Sequence, residues 1–207
     1  MHGVGEGEVS GGLGPEELAV VIERAQRFDP DAYDVLVDVY GQRLYGFLYW
    51  LAGSREQTED LLQEVFLRVV QALPRYTHRG RFEGWLFRIA ANLVRDRIRQ
   101  TRRAPTAISM SAAGDDQDEA NHGAGWDRSD GSETGPEAPL ILREQIDRMQ
   151  AALGQLSAAE REVIMLRHYS ERSFAEIAEL MGTPLGTALA RAHRGLAKLR
   201  RIMESEA

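Results

Sequence analysis

Apolar residues return every three to four positions through most of this chain, and that period predicts eight helices. The first covers 16–27, directly after Pro15. Asp29 as N-cap, with Pro30 at the first helical position, starts a second that runs to about Ala52. Its aromatics (Tyr33, Tyr40, Tyr45, Phe47, Tyr49, Trp50) read as core, and Gly41 and Gly46 lower its local propensity. Gly53 and Ser54 break it, and Ser54 with Gln57 fits a capping box for a third helix over 56–73, stopped at Pro74. A loop over 74–82 leads into a fourth helix that ends near Arg103. Helical periodicity resumes at Leu140. Two further capping boxes, Ser157 with Glu160 and Ser173 with Glu176, start helices over 158–169 and 174–181. Gly182 reads as the residue closing the second of these, and Thr183-Pro184 opens a last helix over 184–203. Two short helices joined by a glycine-containing turn form the helix-turn-helix pattern.

The polar faces of these helices differ in chemistry. On the third, Asp60, Gln63, Glu64 and Gln71 lie within about 60° of one another, opposite Leu61, Leu62, Val65, Phe66, Val69 and Val70. That stripe is acidic and amidic, so it suits a basic protein surface rather than phosphates. On the fourth, Arg81, Arg95, Arg99 and Arg102 fall within roughly 40° of Arg88, while Phe82, Leu86, Ile89, Ala90 and Leu93 gather on the other side. Residues 79–103 hold eight arginines against two acids, Glu83 and Asp96. Arginines in register with no acid among them point to a polyanion. On the last helix, Leu185, Ala188, Leu189, Ala192, Leu196, Leu199 and Met203 form a face expected to pack. Thr187, Arg191, Arg194, Lys198 and Arg201 form the opposite one, and residues 187–203 carry five bases and no acid.

A net charge of −7 over 207 residues runs against a polyanion binder until its distribution is read. Residues 104–139 contain eight acids and Arg128 as their one base, with five Gly, three Pro and four Ser. Such a segment buries too little to offset chain entropy and reads as a disordered acidic tether, spanning about 30–36 Å as a flexible coil. The Gly-rich 1–15 stretch is expected to fray, and it is neither a signal peptide nor an anchor. There is no cysteine, which excludes disulfides and thiolate metal sites and fits a reducing cytosol. No apolar run is long enough for membrane insertion. No glycine-rich phosphate loop, nucleophile set or H-E-x-x-H is present, and His2, His78, His122, His168 and His193 show no ligand spacing. The expectation is no catalysis, no cofactor and no metal.

TEDLLQEVFLRV, FEGWLFRIAANLVRDRIRQ and, beyond the tether, LSAAEREVIMLRHYSERSFAEIAELMGTPLGT followed by RAHRGLAKLR resemble a bacterial RNA polymerase sigma factor of the extracytoplasmic-function (ECF) group. The resemblance covers about residues 30–103 and 140–203. It implies an all-α fold of two small helical domains: sigma domain two over 16–103 and a helix-turn-helix sigma domain four over 140–203, joined by the acidic linker. It also implies the partners: core RNA polymerase (β′ clamp helices, β subunit), promoter DNA and, by family habit, an anti-sigma factor.

By that resemblance, Asp60, Gln63 and Glu64 dock on the β′ clamp helices. Tyr76, Thr77, His78, Arg81, Arg88, Asn92, Arg95 and Arg99 belong to the part that captures the −10 element as single strand, where an aromatic, polar and basic set suits an unstacked base and its phosphates. Thr187, Arg191, Arg194 and Lys198 belong to the −35 reader in the duplex major groove. One departure stands out. The family's recognition helix usually reads like GTVKSR, whereas residues 186–191 here are GTALAR, so Leu189 and Ala190 replace a Lys and a Ser. Hydrogen-bonded base reading is weakened there, with apolar contact to a thymine methyl as the substitute. The second hypothesis is a free-standing helix-turn-helix regulator, whose first module dimerises or senses and which binds a palindromic operator without polymerase.

Overall fold

A computed structural model describes residues 13–103 and 140–205, and every regular element among them is helical. The tether and the first twelve residues lie outside the described residues. Helix α1 (Pro15–Gln26) starts one residue earlier than its periodicity suggests, with the Gly14 N–H donating to Glu17 Oε2 at 3.0 Å. Helix α2 (Pro30–Ala52) is capped by the Asp29 carboxylate, which accepts from the Asp31 N–H at 3.1 Å, and Gly53 closes it at φ 80°. Helix α3 (Arg55–Ala72) begins at the Ser54 cap and does not stop directly at Pro74. A 3-10 turn, Leu73–Arg75, absorbs the proline, because Pro tolerates the first positions of a helical turn. The Gln26 amide donates to the Leu73 and Tyr76 carbonyls at 3.1 and 2.6 Å, tying the following loop to α1. Helix α4 (Phe82–Arg103) completes the first module around Ile22, Leu36, Leu44, Phe47, Leu48, Val65, Phe82 and Phe87. There Phe47 meets Phe87 edge-on at 5.3 Å.

The second module comprises α5 (Leu140–Gly154), α6 (Ala158–Tyr169), α7 (Phe174–Met181) and α8 (Leu185–Ser205). Both capping boxes form as read: Ser157 and Ser173 accept from Glu160 and Glu176 N–H groups, and the glutamates reach back to the serine N–H groups at 3.0 Å. Gly182 holds φ 63° at the turn into α8.

The packed face of α8 differs from the one its leucines suggest. Ala188, Ala192 and Gly195 are its buried residues, on a seam rotated roughly 60° from the centre of the leucine stripe. Leu185, Leu189 and Leu196 are left 46%, 44% and 51% exposed. The cause is steric. A Cβ at Gly195 would lie 2.8 Å from Ile164 Cδ1 and 3.1 Å from Glu160 Cβ, so α6 approaches too closely for anything but small side chains.

The two modules pack on each other. Gly46 on α2 gives way to Tyr169: a Cβ there would lie 2.6 Å from the ring's Cε1. Arg43 donates through Nε and Nη2 to the Tyr169 carbonyl at 3.1 and 2.5 Å, and Gln150 donates to the Tyr49 carbonyl at 3.1 Å. The buried face of α4 is wider than expected: Ala91 and Val94 lie at this junction, and Phe87 is buried against Phe47.

Candidate nucleic-acid interface

The first site surface is a groove of about 570 Å³ between α3 and α4. Asp60, Gln63 and Glu64 line it with Leu67, Arg68, Leu93, Asp96, Arg97 and Gln100. Helical spacing puts the three expected residues on one side, where Asp60 and Gln63 are exposed and Glu64 is half-buried. The groove is not purely acidic. Arg97 stands 3.8 Å from Asp60, and Arg68 pairs with Glu64 at 2.9 Å. Leu67 is 52% exposed in its floor, an apolar contact that the charge pattern had hidden.

The second surface is a cleft of about 410 Å³ where the loop before α4 and the start of α4 face α7. Tyr76, Thr77, Arg81 and Arg88 come together there, joined by Arg79, Gly84 and Trp85. The Tyr76 ring lies 4.6 Å from Trp85 at a 35° tilt, and both rings contact Phe82 beneath them. Burial pushes the Tyr76 phenol above its ordinary value, so the ring is neutral at any physiological pH. His78 sits 6.1 Å from Tyr76, and its Nδ1 is buried without a hydrogen-bond partner among the described residues. Asn92, Arg95 and Arg99 follow along α4. The Asn92 Oδ1 accepts from Arg95 at 2.8 Å, and Arg99 stands 3.6 Å from Asp96. Trp85 escaped the sequence reading, although it sits about 60° from Arg88 on the helical wheel, on the arginine side.

The far wall of this cleft comes from the second module. Arg172, Glu176, Glu179 and Leu180 of α7 and its preceding turn line it, and Glu179 stands 3.6 Å from Arg81. Further along α4, outside this cleft, Glu162 of α6 takes Arg95 in a two-oxygen clasp at 2.5 to 3.2 Å, with side chains only 27% and 11% exposed. So the arginine row does have acids beside it, supplied from nearly a hundred residues away in sequence in one case and nearly seventy in the other. Glu83 joins the two halves as an ion pair, 2.5 Å from Arg43 and 3.5 Å from Arg172. Burial raises its carboxyl above the usual range despite the two guanidiniums, whose attraction opposes that rise. Arg161, nine-tenths or more buried at the same junction, is lowered to about 10 by desolvation.

The third surface is the outer side of α8. Arg194 is exposed and lies 3.8 Å from Glu160, while Thr187, Arg191 and Lys198 are half-buried at the edge of the helix. The positions brought furthest into solvent in its first turns are Leu185, Gly186, Leu189 and Ala190. Among the described residues no cluster of three or more His, Asp or Glu is placed to hold a metal, and no helix is long and apolar enough to cross a membrane.

These surfaces coincide with two family regions. Residues 36–104 match Sigma-70 region 2, and residues 146–199 match Sigma-70 region 4. The chain is 31% identical over 180 residues to the ECF RNA polymerase sigma factor SigW of Bacillus subtilis (strain 168), covering 87% of this chain and 93% of that one. It is 35% identical over 188 residues to the RNA polymerase sigma factor CarQ of Myxococcus xanthus, covering 86% and 94%. In fold it is similar to CnrH, solved in complex with the cytosolic domain of CnrY, with a TM-score of 0.65 and 22% identity over 91% of this chain and 97% of that one. With two region matches in order and relatives aligned over most of both chains, this chain belongs to the ECF family of RNA polymerase sigma factors.

Proposed function

We propose that the chain binds core RNA polymerase through the α3–α4 groove, captures the −10 element as single strand at the α4 cleft and reads the −35 duplex with α8. The groove offers Asp60, Gln63 and Glu64 to basic positions on the β′ clamp helices, with Leu67 as an apolar anchor between them. Mixed charges around an exposed leucine suit a protein partner, since apolar burial at the centre of a polar rim is what stabilises such contacts.

The observation that carries the reading is the Tyr76–Trp85 pair bordered by Arg81 and Arg88. Aromatic faces with guanidiniums alongside match single-stranded nucleic acid, where stacking contributes about 1–3 kcal/mol per base and arginines neutralise the backbone. Thr77 lines that cleft and His78 neighbours Tyr76, both with groups able to hydrogen-bond a base edge, and Asn92 offers its amide about two turns further along α4. Strand capture at Arg81 and Arg95 exchanges the Glu179 and Glu162 carboxylates for phosphates, so the modules part as the strand enters. Arg191, Arg194, Lys198 and Thr187 then hold the duplex beside the groove that α8 occupies, in the manner of other recognition helices. The protein performs no chemistry in this scheme; it positions polymerase and stabilises opened DNA.

The test is transcription by core polymerase with this chain on a library of genomic fragments. Discrete start sites sharing one promoter pattern are expected. Asp60→Arg with Glu64→Arg should abolish both polymerase capture and those transcripts while leaving binding to a single-stranded −10 oligonucleotide in place. No specific transcript from any fragment would overturn the proposal.

A further inference from the structure

We propose that α8 reads thymine methyl groups, with Leu189 the specificity-determining side chain and Leu185 and Ala190 flanking it. The inference rests on α8 being the −35 reader and names what that reader selects. In helix-turn-helix proteins the first turns of the second helix approach the base edges. In this chain the side of α8 turned to α6 is taken up by Ala188, Ala192 and Gly195, so the residues open to a groove are those on the far arc. Over the first two turns these are Leu185, Gly186, Leu189 and Ala190, with Leu185 46% and Leu189 44% exposed. None of the four has a side chain that donates or accepts a hydrogen bond. The polar residues of the same turns, Thr187 and Arg191, are half-buried at the helix edge.

The major groove presents donors and acceptors on every base pair, but its one apolar feature is the thymine 5-methyl group. Leucine in that groove therefore gains from thymine and loses at cytosine, whose exposed amino group it would desolvate unpaired. Exposed leucines can alternatively signal a protein contact. The placement of Leu185 and Leu189 beside exposed Gly186 and Ala190 favours DNA, because the small neighbours let the helix backbone sink close to the base edges. Downstream, His193 and Arg194 lie on the same exposed arc and supply the polar contacts that set the register.

The experiment selects −35 sequences from a randomised library with full-length chain and core polymerase. Each selected thymine is then replaced in turn by uracil, which differs only in lacking the methyl group. At one or two thymines the replacement should weaken promoter binding about fourfold per methyl, the size expected for burying one carbon. In Leu189→Ala the same replacement should have no effect, although total binding is weaker. Leu189→Gln should instead shift selection at that position toward adenine, whose edge a glutamine reads. Thermal melting of both variants controls for folding, and exposed positions predict little change. Uracil tolerated at every thymine by the unsubstituted chain would overturn the inference while leaving the sigma reading intact. Leu189→Ala with unchanged −35 selection but weaker polymerase capture would overturn it too, assigning the leucines to a protein contact. Failure to select any −35 sequence would remove the reading on which it rests.

Discussion

Glycine 195 and glycine 186 sit nine residues apart on one helix and have opposite surroundings. A Cβ at Gly195 meets Ile164 and Glu160, whereas one at Gly186 meets nothing within 4 Å. Gly195→Val should therefore destabilise the second module by about 1–3 kcal/mol, the usual cost of overpacking. Gly186→Ala should leave it unchanged or raise it by up to about 1 kcal/mol through helix propensity. Urea titration of both variants checks this pair, and equal destabilisation would contradict the tight α6–α8 seam. At the same scale, Trp85→Leu keeps apolar cover over Phe82 but removes the ring beside Tyr76. Affinity for a −10 oligonucleotide should fall by about 1–3 kcal/mol, the contribution of stacking one base, as read by fluorescence anisotropy with holoenzyme. Trp85 was recoverable from the helical wheel. The hydrophobic and arginine patterns assign it to neither face, and its partner Tyr76 lies outside the helix, in the preceding loop.

Among the helices, the boundaries of α6 and α7 were fully legible in sequence because capping boxes are local: Ser157 with Glu160 and Ser173 with Glu176 satisfy backbone groups within one turn. The cap also sets a pH dependence. The Ser173 hydroxyl and N–H hold the Glu176 carboxyl below its ordinary 4.5, with Arg172 adding to the effect. A depressed folded-state value contributes stability that is fully present above 4.5 and fades as pH falls through the lowered value. Glu176→Gln should flatten the decline in melting temperature below about pH 4.5, the ordinary carboxyl range, with its deficit against the unsubstituted chain largest near neutrality and shrinking as pH falls. Calorimetry across that range checks it. The packed face of α8 was legible only in part, for the opposite reason: Ala188 and Ala192 lie on it as expected, whereas Leu185, Leu189 and Leu196 are exposed. Hydrophobic weight singles out Leu185, Leu189 and Leu196, but how closely α6 can approach is decided by Ala188, Ala192 and Gly195, which carry almost no hydrophobic signal.

At the scale of the molecule, two helical modules were legible from patterning, and their mutual packing was not, because it depends on residues far apart in the chain. Gly46 read as a weak spot in α2 and is instead the seat of Tyr169. The row on α4 read as open to phosphate, yet Glu162 and Glu179 already occupy Arg95 and Arg81. Under the proposed strand capture the same guanidiniums would face two competing anions, a carboxylate of the second module and a backbone phosphate. Gly46→Leu places a branched side chain where the Tyr169 ring lies, and a rigid ring must move as a whole. That motion also withdraws the carbonyl held by Arg43. The expected result is a larger radius of gyration by small-angle scattering with each module still folded. Glu162→Gln should act on the electrostatic half alone: with the carboxylate gone, Arg95 has less to surrender when a phosphate arrives. Single-strand affinity should rise severalfold in both variants, and the affinity itself should fall with salt as phosphate contacts are screened. If Gly46→Leu expanded the molecule but left strand affinity unchanged, the packing of the modules would be independent of strand capture, and the exchange of carboxylate for phosphate on Arg95 would have to be abandoned.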